Sequence, residues 1–425
     1  MPQNYSEQAK LPRSLVAITI LFYAVMVTLV AYKNGCLCLI EGSPSYMRLA
    51  ESLAGGSPFS SGYRPPLYPL LLSYLIRIFG PPWPIAAILL QALFGMLSAL
   101  LIARIASQLA KTWYAGALAA LLFMSHAVLQ LEFLTLRETA LFIFLLLAFV
   151  RIAARPFQST LLQFTILGIL AALAHLTRPT GILLAGLLLI LPFLLKERKL
   201  KEKLILCCLS SIVFCASVLP WQLSLWQLTG KLSPTSSTSN GLNLIKGNNP
   251  HFDQLFPLIE IDDYEQYILS INPELDLTDQ ATDEQFKTTA ENYIKSEPTL
   301  FLWRAIKKAG VFLSPLPLPL ASAQIEAGHD GALIITEVKF RKRALLGLMA
   351  GFSLVAFFGL FLYARHSYSS TDPTVFIVSL LFALMLAAIH GLTFPESRFR
   401  YPLDALLCIT AGIGLNQWIT KLRRA

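Results

Sequence analysis

The chain repeatedly runs through stretches of about 20 apolar residues, each long enough to cross a lipid bilayer as an α-helix. Lipid offers no hydrogen-bond partners to the backbone, so only helices and closed barrels can span it, and runs of this length favour helices. The approximate bounds of ten such stretches are 14–32, 84–106, 113–131, 137–154, 158–176, 179–195, 203–221, 343–363, 374–393 and 402–419. The sequence therefore predicts an all-α polytopic membrane protein with about ten transmembrane helices.

Composition and charge support this interpretation. Hydrophobic residues make up 55% of the chain and charged residues 14%, whereas about 25% of a soluble domain is charged. The formal net charge is +9, but much of it lies in patches that flank apolar runs, such as Lys196–Lys203 and Lys421–Arg424. Patches in these positions set membrane topology. The sequence therefore predicts membrane lipids, and not nucleic acid, as partners.

The basic patches also predict which loops face the cytoplasm. Counting back from Lys196–Lys203 places the loop Glu41–Tyr63 outside only if the shorter apolar run Pro66–Gly80 does not span the membrane. We therefore expect that run to lie at the outer surface of the membrane or to enter it without crossing. Both chain termini are then cytoplasmic. In this scheme Lys339–Arg343 lies outside, against the charge rule, where it could bind anionic head groups.

One large hydrophilic insert, at 222–342, divides the chain. We predict an N-terminal transmembrane module at 1–221, whose external loop 33–83 carries the active site, and C-terminal transmembrane helices at 343–425. Inside the insert, the periodicity of D-E-Q-F-K-T-T-A-E-N-Y-I-K predicts a helix. The run after Pro298 interleaves aromatics with lysines, as an interfacial helix does. Three prolines exclude regular helix from Ser314–Leu320.

The loop after the first span holds the first candidate residues. Glu41 could act as a general base, hold a divalent metal, or be a solvated loop acid. After it, a helix is predicted to begin near Ser43, with Tyr46 on its apolar face together with Leu49, Ala50 and Leu53. Arg64 precedes two prolines, and its planar fork of donors suits a phosphate. The alternative is an arginine that snorkels at a helix start.

Further polar residues fall on the same predicted outer face. Glu138 begins a span, where it is either a site acid that needs a partner or an interface acid. Arg178 precedes Pro179 at the edge of another span. Arg400, before the last span, is a further candidate. The residues predicted to bind substrate are Tyr46, Tyr63 in the first loop, Asn243 and Asn248 in an asparagine-rich turn, and Arg398. Cys36 and Cys38 could form a metal or redox pair, but they lack a companion histidine or cysteine, so we assign no residue to a metal.

These short pieces, in this order, resemble the GT-C superfamily of polytopic glycosyltransferases. The chain is most similar to the family 39-like branch, which contains aminoarabinose transferases and dolichyl-phosphate-mannose protein mannosyltransferases. The matching pieces are S-P-S-Y-M-R-L-A-E-S-L, R-P-P-L-Y-P-L-L-L, L-R-E-T-A-L-F, L-T-R-P-T-G, P-W-Q-L, G-L-N-L-I-K-G-N-N-P, A-E-N-Y-I-K-S-E-P and R-F-R-Y-P-L. Each piece is short, but their order and the large insert together make the resemblance fairly specific.

The resemblance implies a GT-C fold with external surface helices. It also implies transfer of a sugar from a polyisoprenyl-phosphate donor, on the outer face, with inversion at the anomeric carbon. An acid in the first external loop would be the base, and Arg64, helped by Arg178 or Arg400, would bind the donor phosphate. Glu138 would line the same cavity, and R-F-R-Y would close the pocket. The family context predicts a bacterial inner membrane, with the site on the periplasmic face.

One position departs from the family pattern. Gly42 stands where the family usually has an aspartate, four residues before the helix tyrosine. The adjacent Glu41 is the expected substitute, and Glu138 is the alternative base. The departure leaves two further readings open, a catalytically degenerate member and a transporter or flippase of lipid-linked sugars. No cofactor is certain, a divalent metal is left open, and the acceptor is unknown.

Overall fold

The computed structural model of the chain describes residues 10–34, 44–154, 159–195, 197–231, 233, 235–316, 318–328, 331–366 and 374–424. Its first helices are α1 (Arg13–Asn34), α2 (Pro44–Ala54), α3 (Leu67–Phe79), α4 (Trp83–Ala110), α5 (Trp113–Met124), α6 (Ala127–Glu132), α7 (Thr139–Ala153), α8 (Thr160–Thr177), α9 (Ile182–Leu194) and α10 (Leu200–Thr229). The remaining elements are α11 (Asn240–Gly247), α12 (Phe252–Leu255), α13 (Tyr264–Ile271), α14 (Gln280–Ser296), α15 (Pro298–Leu313), β1 (Ala321–Ala327), β2 (Leu333–Phe340), α16 (Arg343–His366), α17 (Thr374–Leu392) and α18 (Ser397–Leu422).

The mostly helical, membrane-type fold predicted from the sequence is confirmed. Among the described residues, five helices are long and apolar enough to cross a membrane, namely α4, α8, α10, α16 and α17. Shorter apolar helices accompany them. The predicted span 113–131 is interrupted, because α5 ends at Met124 and α6 begins at Ala127. The total of about ten spans therefore stays a prediction.

The last helix, α18, lies at the centre of the bundle and packs against α4, α5, α7, α16 and α17. Small residues let the backbones approach closely, as is common in membrane helix pairs. A Cβ on Gly412 would come within 2.5 Å of the Cβ of Ala119 on α5. A Cβ on Gly414 would come within 2.1 Å of the Gly359 carbonyl oxygen on α16. These glycines set the spacing of the central helices.

The predicted apolar face of α2 is confirmed, since Tyr46, Leu49, Ala50 and Leu53 are all buried. This helix packs on α3, which in turn packs on α4. Arg77 of α3 donates hydrogen bonds to the carbonyl oxygens of Leu53 at 2.5 Å and of Ala54 at 3.2 Å. A cation at the carbonyl end of a helix is stabilising. The two short helices therefore form one unit on the bundle.

The insert has a hydrophobic cluster of its own, which draws side chains from α11, α12, α13, α14 and the hairpin. The predicted helix around D-E-Q-F-K-T-T is α14, and the described residues of Ser314–Leu320 form no helix, as predicted. The antiparallel hairpin of β1 and β2, in which Ala321 pairs with Phe340, was not predicted. The predicted module boundary at residue 222 falls inside α10, and the division into modules stays a prediction.

Candidate active site

A local sequence signal sets the backbone conformation of Arg178. Pro179 disfavours helical conformation in the residue before it, and Arg178 is extended, with φ −150° and ψ 135°. Helix α8 therefore ends at Thr177, and a short 3₁₀ turn over Pro179–Gly181 leads into α9. A Cβ on Gly181 would come within 2.4 Å of the carbonyl carbon of Ala174, so glycine permits this tight turn.

The carboxylate of Glu138 lies among groups from four separate parts of the chain. Its Oε2 accepts a hydrogen bond of 2.8 Å from the hydroxyl of Tyr46, on α2. Its Oε1 lies 3.8 Å from Nε of Arg178. It also interacts electrostatically with Arg64 and Arg398. One acid and three arginines predicted for the site therefore come together.

Aromatic rings and a hydroxyl hold Arg64 in place. Its guanidinium carbon lies 4.8 Å from the ring centre of Tyr46 and 4.8 Å from that of Tyr63. Both distances are within the range of a cation–π contact. Its Nε also donates a hydrogen bond of 3.1 Å to the Ser45 hydroxyl. The predicted substrate-binding tyrosines therefore lie beside the predicted phosphate-binding arginine.

Arg178 is buried, with 5% of its side chain exposed. Its guanidinium packs over the ring of Phe399 at 4.8 Å and over that of Phe142 at 5.7 Å. Its Nη1 and Nη2 have no hydrogen-bond partner among the described residues. Arg178 lines a cavity of about 340 Å³, which Asn243 also lines. Buried guanidinium donors without acceptors are costly, so this position favours an anionic partner.

Arg398 is tied to acids on both sides. Its Nε lies 2.7 and 2.8 Å from the two carboxylate oxygens of Glu396, and its Nη2 lies 3.1 Å from Asp262 of the insert. Asp262 also accepts a hydrogen bond of 2.6 Å from buried Lys246. Burial raises the pKa of Glu396 to about 8; Arg398 opposes this shift and the nearby Asp262 adds to it. This network links the insert to the start of α18.

Two predicted site residues have other partners. Arg400 lies 3.0 Å from Asp404 and donates to the carbonyl oxygen of Ser314. The side-chain amide of Asn248 donates to the carbonyl oxygens of Leu244 and Leu392, each at 2.9 Å. Both side chains thus tie elements together, and their predicted roles at the phosphate and the substrate stay predictions.

The predicted base, Glu41, lies outside the described residues, and so do Gly42, Cys36 and Cys38. Within the described part of the chain, no cluster of three or more histidine, cysteine, aspartate or glutamate side chains could hold a metal ion.

Comparison with known proteins bears on the fold. Residues 63–221 match the family model described as dolichyl-phosphate-mannose-protein mannosyltransferase. The crystal structure of ArnT from Cupriavidus metallidurans bound to undecaprenyl phosphate superposes with a TM-score of 0.55 at 14% sequence identity. The match covers 96% of this chain and 61% of that chain. The chain has the GT-C fold. The resemblance to that superfamily is confirmed, while no curated protein sequence gives a significant match.

The segment of the GT-C fold that matches the family model contains Tyr63, Arg64, Glu138 and Arg178. Tyr46 precedes this segment, and Asn243, Arg398 and Phe399 follow it. The residues around Glu138 are therefore drawn from both inside and outside the matched part of the chain.

Sequence reasoning missed several buried polar groups of this chain. Lys308 of α15 is completely buried and donates hydrogen bonds to the carbonyl oxygens of Gly247 and Thr393. Arg304 is buried one turn earlier and bonds Asp253. Their spacing of four residues puts them on one helix face, while Leu302, Trp303 and Ile306 are exposed. That spacing could have grouped the two side chains on one face, but it does not show that this face is buried. The exposed apolar face fits the predicted interfacial helix.

Proposed function

We propose that this protein is a membrane glycosyltransferase. In this proposal a sugar passes from a polyisoprenyl-phosphate donor to an acceptor on the external face of the membrane, with inversion at the anomeric carbon. The shared fold with ArnT, whose crystal structure is described as bound to undecaprenyl phosphate, supports a lipid phosphate as partner. The family match over 63–221 supports a lipid-linked sugar as donor. We place the protein in a bacterial inner membrane, with its site on the periplasmic side.

The observation that carries this proposal is the buried guanidinium of Arg178. Its two terminal nitrogens lack partners among the described residues, and the residue lines a largely apolar cavity. Arg64 and Arg398 add positive charge around the carboxylate of Glu138, although Arg398 also pairs with Glu396 and Asp262. A phosphate with a hydrocarbon tail satisfies both features, since its oxygens accept from arginine and its tail suits an apolar lining.

The proposed reaction is a single in-line displacement. An acceptor hydroxyl attacks the anomeric carbon, the bond from that carbon to the phosphate oxygen breaks, and the hydroxyl proton passes to a carboxylate base. Glu41 is the proposed base. Arg64 and Arg178 stabilise the charge that develops on the departing phosphate. Glu138, whose two oxygens face Tyr46 and Arg178, holds that arginine in position.

The test is donor turnover by the purified protein in lipid nanodiscs, with a panel of polyprenyl-phosphate sugars. We expect Arg178→Gln to lower kcat by about 100-fold, the usual cost of removing a donor that stabilises developing charge. Glu41→Gln should also lose turnover. Arg198→Gln is the matched control, because Arg198 is half exposed and pairs only with Glu202 and Thr160 among the described residues.

The other outcomes distinguish the alternatives. Turnover that survives Glu41→Gln would move the base to Glu138. Donor that is carried across a vesicle membrane without being consumed would instead support the transporter reading. Donor that is bound but never consumed or moved, with every acceptor offered, would support a degenerate family member.

A further inference from the structure

His390 lies near the end of α17 and has only 4% of its surface exposed. Its Nδ1 lies 3.0 Å from the carbonyl oxygen of Phe394. A carbonyl oxygen can only accept, so Nδ1 carries the proton and Nε2 is left as an acceptor. This Nε2 is buried and has no partner among the described residues. The position therefore presents an unused hydrogen-bond acceptor.

Aromatic packing fixes the orientation of this ring. The His390 ring stacks on Phe399 at 4.6 Å and 15°, and on Phe312 at 5.0 Å and 24°. Phe399 also packs beneath the guanidinium of Arg178. One phenyl ring therefore contacts both the imidazole and the guanidinium.

His390 and Arg178 line the same cavity of about 340 Å³. Among the described residues, the terminal nitrogens of Arg178 are donors without acceptors, and Nε2 of His390 is an acceptor without a donor. Each buried unpaired group costs free energy that a suitable ligand would recover. The matching ligand carries an anionic oxygen for Arg178 and, close to it, a hydroxyl for His390. A sugar attached to a phosphate has this arrangement, because the C2 hydroxyl lies next to the anomeric carbon that bears the phosphate.

We infer that His390 recognises the donor sugar. Its Nε2 accepts a hydrogen bond from the C2 hydroxyl of a glycosyl phosphate that Arg178 binds. This inference rests on the proposed function, since it assigns the sugar to the same cavity. His390 is a specificity residue in this role, and the base of the reaction lies elsewhere.

The test is equilibrium binding to the full chain in nanodiscs. The probes are undecaprenyl phosphate, a set of undecaprenyl-phosphate hexoses, and the 2-deoxy form of each. His390→Phe keeps an aromatic ring in the stack and removes the acceptor. We expect it to weaken binding of the 2-hydroxy hexose by about 3- to 10-fold, the effect of one hydrogen bond. Binding of the 2-deoxy donor and of undecaprenyl phosphate should not change.

His390→Gln is the rescue variant, because its amide oxygen reaches towards the position of Nε2. It should recover part of the lost affinity, and thermal melting checks that both variants fold. Equal weakening of all three probes would place the contact at the phosphate and overturn the inference. So would equal binding of hydroxy and deoxy donors by the wild-type protein. Failure of the proposed function has a different signature, in which the binding pattern holds but no donor is turned over.

Discussion

At the scale of single residues, Arg178 shows what the sequence can and cannot predict. The conformation of its backbone follows from Pro179, and its position at the end of a span follows from the apolar pattern. Both are local properties. Its contacts with Glu138 and Phe399 join positions that are 40 and 221 residues away. No local pattern encodes such contacts, so the sequence predicts the candidate arginine but not its partners.

The first residue-scale prediction concerns Glu138. Glu138→Gln keeps an oxygen that accepts from Tyr46 and removes the charge 3.8 Å from Nε of Arg178. We expect kcat/KM for the donor to fall by about 10- to 100-fold, because a misplaced arginine stabilises the phosphate less well. The shape of the pH–rate profile should stay the same, since a positioning residue exchanges no proton with substrate.

Steady-state kinetics from pH 5 to 9 is the measurement for Glu138→Gln. Glu51→Gln serves as the control, because Glu51 is an exposed acid on the same surface helix as Tyr46. Loss of the acidic limb of the profile in Glu138→Gln would instead make Glu138 the base.

The second residue-scale prediction is a pH dependence of stability. Burial raises the pKa of Glu396 to about 8, against about 4.3 in an unfolded chain. Between these values the folded state holds a proton that the unfolded state has lost, so stability falls as pH rises towards 8. Glu396→Gln mimics the protonated acid and should remove this loss.

We expect the Tm of the wild-type protein to drop by about 5 °C more than that of Glu396→Gln between pH 5 and pH 9. Thermal unfolding in detergent, followed by tryptophan fluorescence, measures the difference. An equal change in Tm between pH 5 and pH 9 for the two proteins would contradict the assignment of the buried proton to Glu396.

At the scale of elements, most helices follow from periodicity. The buried face of α2 and the helix α14 were both predicted from the spacing of apolar residues. The hairpin of β1 and β2 was not predicted. Strand β2 is mostly exposed and shows no clean alternation of buried and exposed residues. Lys308 was missed for a related reason. A lysine in an aromatic, basic helix fits an interfacial surface, and only the tertiary packing buries it.

The element-scale prediction for α15 concerns this lysine. Lys308 Nζ donates to Gly247 O at 3.1 Å, Asn248 Oδ1 at 3.3 Å and Thr393 O at 2.7 Å. Lys308→Met fills similar space but leaves these buried oxygens without that donor. We expect a loss of about 2–4 kcal/mol in the free energy of unfolding. The neighbouring Lys307→Met is the control, because Lys307 is partly exposed. Denaturant unfolding of both variants is the measurement, and equal losses would refute the role of Lys308.

The packing of α16 on α18 gives a second element-scale prediction. Gly414→Ala puts a Cβ within 2.1 Å of Gly359 O and 2.6 Å of the Tyr363 backbone nitrogen, so the two helices must move apart. We expect destabilisation of about 1–3 kcal/mol. Gly351→Ala on α16 meets no atom within 4 Å and should be neutral or slightly stabilising. Comparing the Tm values of the two variants tests the contact, and similar values would contradict it.

At the scale of the whole molecule, the apolar runs predict a helical membrane protein, but they do not predict how the helices assemble. The central position of α18 brings Phe399 beneath Arg178, although the matched family segment ends at residue 221. Two residues of the insert contact the same region. Asp262 pairs with Arg398, and Asn243 lines the cavity that Arg178 also lines. These contacts arise from packing between distant parts of the chain, and they place the candidate site on the side of the bundle where the insert lies.

That arrangement leads to a prediction about orientation in the membrane. If the insert is external and Lys196–Lys203 is cytoplasmic, a cysteine at Thr288 on α14 and a cysteine at Lys201 on α10 must react from opposite sides. Both native residues are exposed. In a background without the six native cysteines, a membrane-impermeant maleimide should label Thr288→Cys in right-side-out vesicles and Lys201→Cys only in inverted vesicles. Labelling of both from one side would mean that the number of spans between them is even. That result would contradict an external insert with a cytoplasmic Lys196–Lys203.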